Sequence, residues 1–260
     1  MAKFGVAVGM FGVHHYFGGD SRGYLEAAKL ADAAGIDQVV FTDHVVMGEH
    51  TERYPYGPFP LPPSAPWFEP LTLLAAIAAV TTRIELATGI LIAPLRPAAV
   101  LAKMLATLDT LAPGRLQIGI GTGWQREEFD AVGLDFDKAW TLLDDGVRAM
   151  KVLWREAPAS FASATVTLDR VYSTPFPRDG AIPLWYGVKP TPRQAQRIAE
   201  LGAGWIPIST DFDYVRDGAA RIRDAFAAAG RDPATLQVRA HLPMHFDATG
   251  KGNLERTIAD

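Results

Sequence analysis

The chain has 260 residues, 25 basic and 29 acidic side chains, a net charge of −4 and no cysteine. Disulfides and thiolate chemistry are therefore excluded, and without a basic stripe no nucleic-acid partner is expected. With 48% hydrophobic and 10% aromatic residues, the chain can fill one large core, so a single domain over 1–260 and a cytoplasmic address are the first expectations.

The opening MAKFGVAVGMFGV reads as a first strand, Phe4–Gly9, rather than as a signal peptide. A loop rich in His and Gly follows, Gly12–Gly19. Tyr24–Ala34 has the apolar spacing of a helix, which Gly35 stops. Gln38–Thr42 is a strand ending in Asp43-His44. Thr51–Pro66 contains six prolines, which predicts a long rim loop over about 49–68. Leu71–Val80 is the longest nearly apolar helical run and is too short to span a bilayer, so no membrane partner is expected. Strand Ile84–Ile92, helix Ala98–Leu111 and strand Arg115–Gly121 come next. Lys138–Trp154 repeats apolar residues at spacings of three and four. The stretch 156–181 reads as an irregular insertion with a small hairpin around Thr165–Tyr172. Strand Ile182–Gly187, helix Pro192–Leu201, strand Gly204–Pro207, helix Asp213–Ala229 and strand Leu236–Leu242 complete the chain.

This gives seven strands in strict alternation with helices, the pattern of a parallel sheet. It predicts an α/β fold, a TIM (β/α)₈ barrel whose eighth β/α unit is missing from the sequence, which stops at Asp260 soon after the approach to it. A doubly wound open sheet is the alternative. In either fold the chemistry sits at the carboxyl ends of the strands.

Several groups fall at those ends. Thr88-Gly89-Ile90, late in a buried strand, is either a bulge that bends it or a backbone that comes close to a flat ligand; both readings stand. Gly119-Ile120-Gly121-Thr122-Gly123 resembles a phosphate fingerprint but has the wrong register for one. His44 is either a hydrogen-bonded strand-end residue or a proton donor and acceptor, and Asp43 is placed to orient the backbone or the ring. Gly187-Val188-Lys189 precedes a helix N-terminus, which with the lysine charge suits a phosphate. Glu127-Glu128 and Asp144-Asp145 read as solvated helix faces, except that Glu128 could face the rim. Arg96 is either a salt-bridge partner or a contact to an anionic ligand. His14-His15, His241 and His245 fit no metal-binding spacing, so no metal site is expected.

Five motifs together resemble the luciferase-like monooxygenase superfamily, and especially its branch dependent on the deazaflavin coenzyme F-420. They are A-x-x-A-D-A-A-G-I-D-x-V-V-F-T-D-H (Ala28 to His44), R-I-E-L-A-T-G-I-L (Arg83 to Leu91), L-A-K-M-L-A-T-L-D-T-L-A-P-G-R-L (Leu101 to Leu116), G-I-G-T-G-W-Q-R-E-E-F (Gly119 to Phe129) and L-G-A-G-W-I-P (Leu201 to Pro207). The resemblance implies a barrel with the cofactor ring at the strand ends. It also implies a non-prolyl cis peptide at Gly89-Ile90 backing that ring, and a homodimer. It places Asp43, Gly89, Ile90, Thr122 and Gly123 near the ring, Gly187, Val188 and Lys189 near the cofactor phosphate, and His44 as the catalytic proton donor or acceptor. The implied activity is hydride transfer between F-420 and a small organic substrate, over which Phe11, His14, His15, Tyr16, Tyr54, Tyr56 and Trp67 are candidate lining residues. Alternatives are an FMN-dependent monooxygenase, a barrel that binds flavin or deazaflavin without turnover, and a metal-dependent barrel hydrolase. Two departures stand out: Val188 where relatives often carry a second glycine, and Trp124 where some deazaflavin dehydrogenases carry a glutamate.

Overall fold

A computed structural model describes residue 3, residues 5–7 and residues 19–241. The chain divides into two compact units, residues 1–185 and 186–260.

The first unit is built on parallel strands β1 (Gly5–Ala7), β2 (Gln38–Phe41), β3 (Glu85–Ile92) and β4 (Leu116–Gly121), hydrogen-bonded in that order. Helices α1 (Gly23–Ala33), α2 (Pro70–Val80) and α3 (Ala98–Leu111) form the crossovers between them, as parallel neighbours require. A row of paired positions, Val39, Leu86 and Leu116, runs across the sheet. With Leu74, Ile77, Leu101 and Leu105 from the helices, these side chains are almost completely buried. Such burial contributes about 1.5–3 kcal/mol per large aliphatic side chain.

Local signals set the boundaries. Glu69 caps α2 by accepting the Thr72 N–H at 2.6 Å, and Pro70 occupies its first position. Gly35, at φ +85°, supplies the left-handed turn after α1 that β-carbon-bearing residues disfavour. Asp32 then accepts the N–H groups of Thr82 and Ile84 at 2.9 and 2.8 Å, tying the turn after α2 to α1.

After β4 come the short helix α4 (Arg126–Ala131), α5 (Ala139–Leu153) and an antiparallel hairpin of β5 (Ala159–Ala162) and β6 (Thr167–Val171). The Trp154 indole N–H, donating to Ala102 O at 3.1 Å, fixes the end of α5 against α3. Strand β7 (Leu184–Gly187) crosses the boundary between the units. The second unit holds α6 (Pro192–Leu201), β8 (Gly204–Ile206), α7 (Phe212–Ala228) and β9 (Gln237–Val238), with β8 and β9 paired in parallel.

The alternation expected from the sequence is present in both units. Among the described residues there is no eighth β/α unit. The hairpin begins earlier than expected, at Ala159, and β7 begins later, at Leu184. Pro183 has no N–H for a sheet ladder, although its carbonyl accepts the Ile118 N–H at 3.1 Å. The proline-rich loop contains one 3₁₀ turn, Thr51–Arg53. Asp145 corrects the solvated-face reading: it is buried and accepts the N–H and hydroxyl of Thr165 at 3.1 and 2.8 Å. Among the described residues no helix is long and apolar enough to cross a membrane.

Candidate active site

The carboxyl ends of β2, β3 and β4 converge on one cluster in the first unit. In β3 the pairing with β4 shifts register between Thr88 and Leu91. Gly89 and Ile90 therefore stand opposite the single residue Gly119, a bulge that bends the strand. The Gly89–Ile90 peptide is cis, as the resemblance implies. The Thr88 hydroxyl donates to Gly119 O at 2.7 Å and pins the near side of the bulge. From Leu86 onward every residue of β3 is buried except Gly89 and Ile90, which are half-buried. Backbone at the bulge is thus the part of the strand that solvent, or a ligand, can reach.

The far side of the bulge is held by charge. Asp43, one residue before His44, turns a fully buried carboxylate toward β3, accepts the Ile92 N–H at 2.9 Å, and receives Arg96 through two nitrogens at 2.7 and 3.0 Å. Arg96 also donates to Glu69 at 2.8 Å. The bidentate geometry suits a guanidinium, and the open choice for Arg96 resolves to an ion pair. Burial pushes the Glu69 carboxyl up, but the Thr72 donors and Arg96 outweigh it and hold the group below its ordinary value. One buried network therefore joins the end of β2, the exit of β3 and the start of α2.

His44 faces the other way. Its Nδ1 lies 3.1 Å from Oε2 of Glu128, whose Oε1 accepts the Val45 N–H at 2.9 Å. The histidine side chain is 9% exposed and the glutamate 0%. Rings close around the imidazole: Trp67 at 4.6 Å, Phe59 at 6.0 Å and Trp124 at 6.1 Å between centroids, all edge-on. Tyr54 packs on Phe59 and Trp124, and Tyr56 packs on Tyr54. Burial raises the Tyr54 phenol above its ordinary range, so it stays neutral. The Trp67 indole N–H is buried and has no hydrogen-bond partner among the described residues. Gln125, also buried, accepts the Gly48 N–H at 3.0 Å and donates back to Gly48 O at 3.4 Å. The loops after β2 and β4 are thereby stitched together.

Thr122 and Gly123 are half-buried at the end of β4, and the Thr122 hydroxyl donates to Gly123 O at 3.2 Å. Gly123 has φ +73°, and a Cβ there would come within 2.9 Å of Ile92 Cγ2. Only glycine fits between this turn and the bulge exit.

A family model described as luciferase-like monooxygenase matches residues 4–255. The chain belongs to the luciferase-like monooxygenase family. An uncharacterised protein of Mycobacterium tuberculosis is 34% identical over 164 residues, covering 63% of this chain and 58% of that protein. This luciferase-like chain therefore spans less than two thirds of that relative's length. The F420-dependent glucose-6-phosphate dehydrogenase of Kineococcus radiotolerans is 31% identical over 243 residues, covering 88% of this chain and 67% of that protein. The crystal structure of monooxygenase RslO1 from Streptomyces bottropensis superposes with a TM-score of 0.75 at 27% identity, covering 95% of this chain and 72% of that one. The family is one of oxidoreductases and monooxygenases acting on small molecules, and relatives using F-420 and relatives using flavin both occur in it.

A flat tricyclic cofactor fits this luciferase-like site on two observations. The Gly89–Ile90 backbone is the reachable part of β3, and Trp67 keeps an orphaned buried N–H. In the second unit, taken by itself, Val188 is buried and its carbonyl accepts the Trp205 indole N–H at 2.8 Å. Gly187 is half-buried and Lys189 exposed, and Thr191 caps α6 by accepting the Gln194 N–H at 3.3 Å. Phe11, His14, His15 and Tyr16 lie outside the described residues, so their expected lining role has no structural counterpart here. Sequence reasoning missed Phe59 and Gln125 and left Glu128 ambiguous. The available signal was the triplet Glu127-Glu128-Phe129, in which a core phenylalanine implies that one neighbour turns inward.

Proposed function

We propose that this luciferase-like protein is an oxidoreductase that moves hydride between deazaflavin coenzyme F-420 and a small organic substrate. The observation that carries the reading is His44, an ionisable ring held between a fully buried carboxylate and a wall of aromatic edges. A group that exchanges protons during hydride transfer needs such a place, shielded from water and next to the reacting atoms. The similarity to the Kineococcus dehydrogenase, over most of this chain, supports the choice of F-420.

When bound, the deazaflavin supplies two-electron hydride chemistry. The protein's own contribution is orientation, exclusion of water and proton movement. Gly89, Ile90, Thr122 and Gly123 are the residues that would hold the ring, and Asp43 would keep the bulge in shape from below. Gly187, Val188 and Lys189 are the residues that the family resemblance assigns to the phosphate. Trp67, Phe59 and Trp124 exclude water from His44. The His44 ring takes a proton from the substrate heteroatom as the substrate is oxidised, or returns one in the reverse direction.

The second reading is an FMN-dependent monooxygenase, favoured by the similarity to RslO1, which covers nearly the whole chain. The two cofactors share a ring shape and a phosphate, so the bulge alone does not choose between them. Titration of the protein with F-420 and with FMN, followed by quenching of the Trp67 and Trp124 fluorescence, separates the readings. The F-420 reading expects micromolar binding of the deazaflavin and at least tenfold weaker binding of FMN. The reverse order would install the monooxygenase reading, and binding of neither would remove both.

A further inference from the structure

We propose that Glu128 is a positioning residue: its carboxylate holds the His44 ring through Nδ1–H, which leaves Nε2 as the nitrogen that exchanges protons with the substrate. This role rests on the proton-transfer reading of His44 given above.

The argument starts from what each atom can do. A carboxylate only accepts hydrogen bonds, and a backbone N–H only donates. Oε1 of Glu128 is committed to the Val45 N–H at 2.9 Å, which fixes the plane and rotation of the carboxylate. Oε2 is then presented to His44 Nδ1 at 3.1 Å. An imidazole nitrogen meeting an acceptor must carry the proton, so the neutral ring is the Nδ1–H tautomer and the lone pair sits on Nε2. The remaining rings against the imidazole, Trp67, Phe59 and Trp124, bring no charge.

Other charged groups nearby are engaged elsewhere. Asp43, adjacent in sequence, is neutralised by Arg96, and Glu127, adjacent to Glu128, pairs with Arg53 at 3.5 Å. Glu128 is therefore the one ionisable partner of His44 among the described residues. When the substrate O–H bond breaks, its proton passes to the Nε2 lone pair and the bonding electrons stay on oxygen. The resulting imidazolium lies against a buried carboxylate, which stabilises it.

The predicted signature exists in the free protein, before any cofactor is added. Nitrogen-15 NMR reports which ring nitrogen carries the proton, and the His44 signal among six histidines is assigned by its loss in His44→Gln. Wild-type protein is expected to show Nδ1–H in the neutral form. Glu128→Gln offers one carbonyl and one amide to two N–H donors, so it cannot satisfy both. It is expected to move the ring proton to Nε2. Glu128→Asp, which keeps two acceptor oxygens, is expected to restore the Nδ1–H tautomer. A wild-type His44 protonated at Nε2, or a Glu128→Gln variant with unchanged tautomer, would overturn the proposal. Should Glu128→Gln fail to fold, the wild-type tautomer alone decides. Failure of wild-type protein to bind F-420 would remove the redox reading and leave the tautomer result standing, so the two failures are distinct.

Discussion

Asp43 and His44 are neighbours in sequence and meet opposite surroundings. Asp43 turns into the sheet, where it accepts from the Ile92 N–H and from two nitrogens of Arg96, which Glu69 also engages. His44 turns to the rim, where it meets one carboxylate and several aromatic edges. Both networks contain a buried acid, yet they do different work. The Asp43 network closes on itself, with both carboxylates sharing the one guanidinium of Arg96, and so it is suited to hold the bulge in β3. The His44 network ends on a ring nitrogen that Glu128 does not contact, and so it is suited to exchange a proton. Burial of a charged group is thus no sign of chemistry by itself; what matters is whether its partners exhaust its bonding capacity.

The sharpest way to break this contrast is Asp43→Ala. It strands Arg96, only 10% exposed, with one remaining carboxylate, and it removes the acceptor of the Ile92 N–H. Loss of one member of a buried pair costs about 3–5 kcal/mol, so urea unfolding should show a loss of that size. A change below about 1 kcal/mol would mean that the network is ornamental and the contrast false.

A smaller effect is expected from Glu69→Gln. Glu69 is 37% exposed on its side chain, which weakens its pairing through solvent screening, and glutamine can still cap α2. The expected cost at neutral pH is about 0.5–1 kcal/mol. Its pH dependence sharpens the point. The carboxyl is held below its ordinary value, so its contribution is full above the unfolded-chain value of about 4.3 and is lost as pH falls through the lower folded value. The stability curves of wild type and Glu69→Gln should therefore converge below about pH 4. Curves that stay parallel into acid would show that the Glu69 charge plays no part.

Much of this arrangement was legible beforehand. Buried strands announce themselves as short apolar runs, and the Thr88-Gly89 break inside one marked the bulge. His44 was visible because it ends a strand, where α/β folds place reactive groups. The pairing of Asp43 with Arg96 was not visible, since the two stand 53 residues apart and single residues carry no record of distance. Glu128 was ambiguous for a different reason: α4 has six residues, too few for helical periodicity to say which of two adjacent glutamates turns inward. Asp145 was misjudged because its partner, Thr165, lies in the hairpin region, whose first strand had no alternating pattern strong enough to place it.

The most direct test compares His44→Ala with wild type in two readings: F-420 affinity, and turnover with whichever substrate the wild type oxidises fastest. The account predicts turnover reduced at least about tenfold, within the range expected for a lost acid–base group, while the dissociation constant for F-420 stays within about twofold because the bulge and its charge network are untouched. Unchanged turnover, or affinity lost together with it, would contradict the division of labour between His44 and its neighbour.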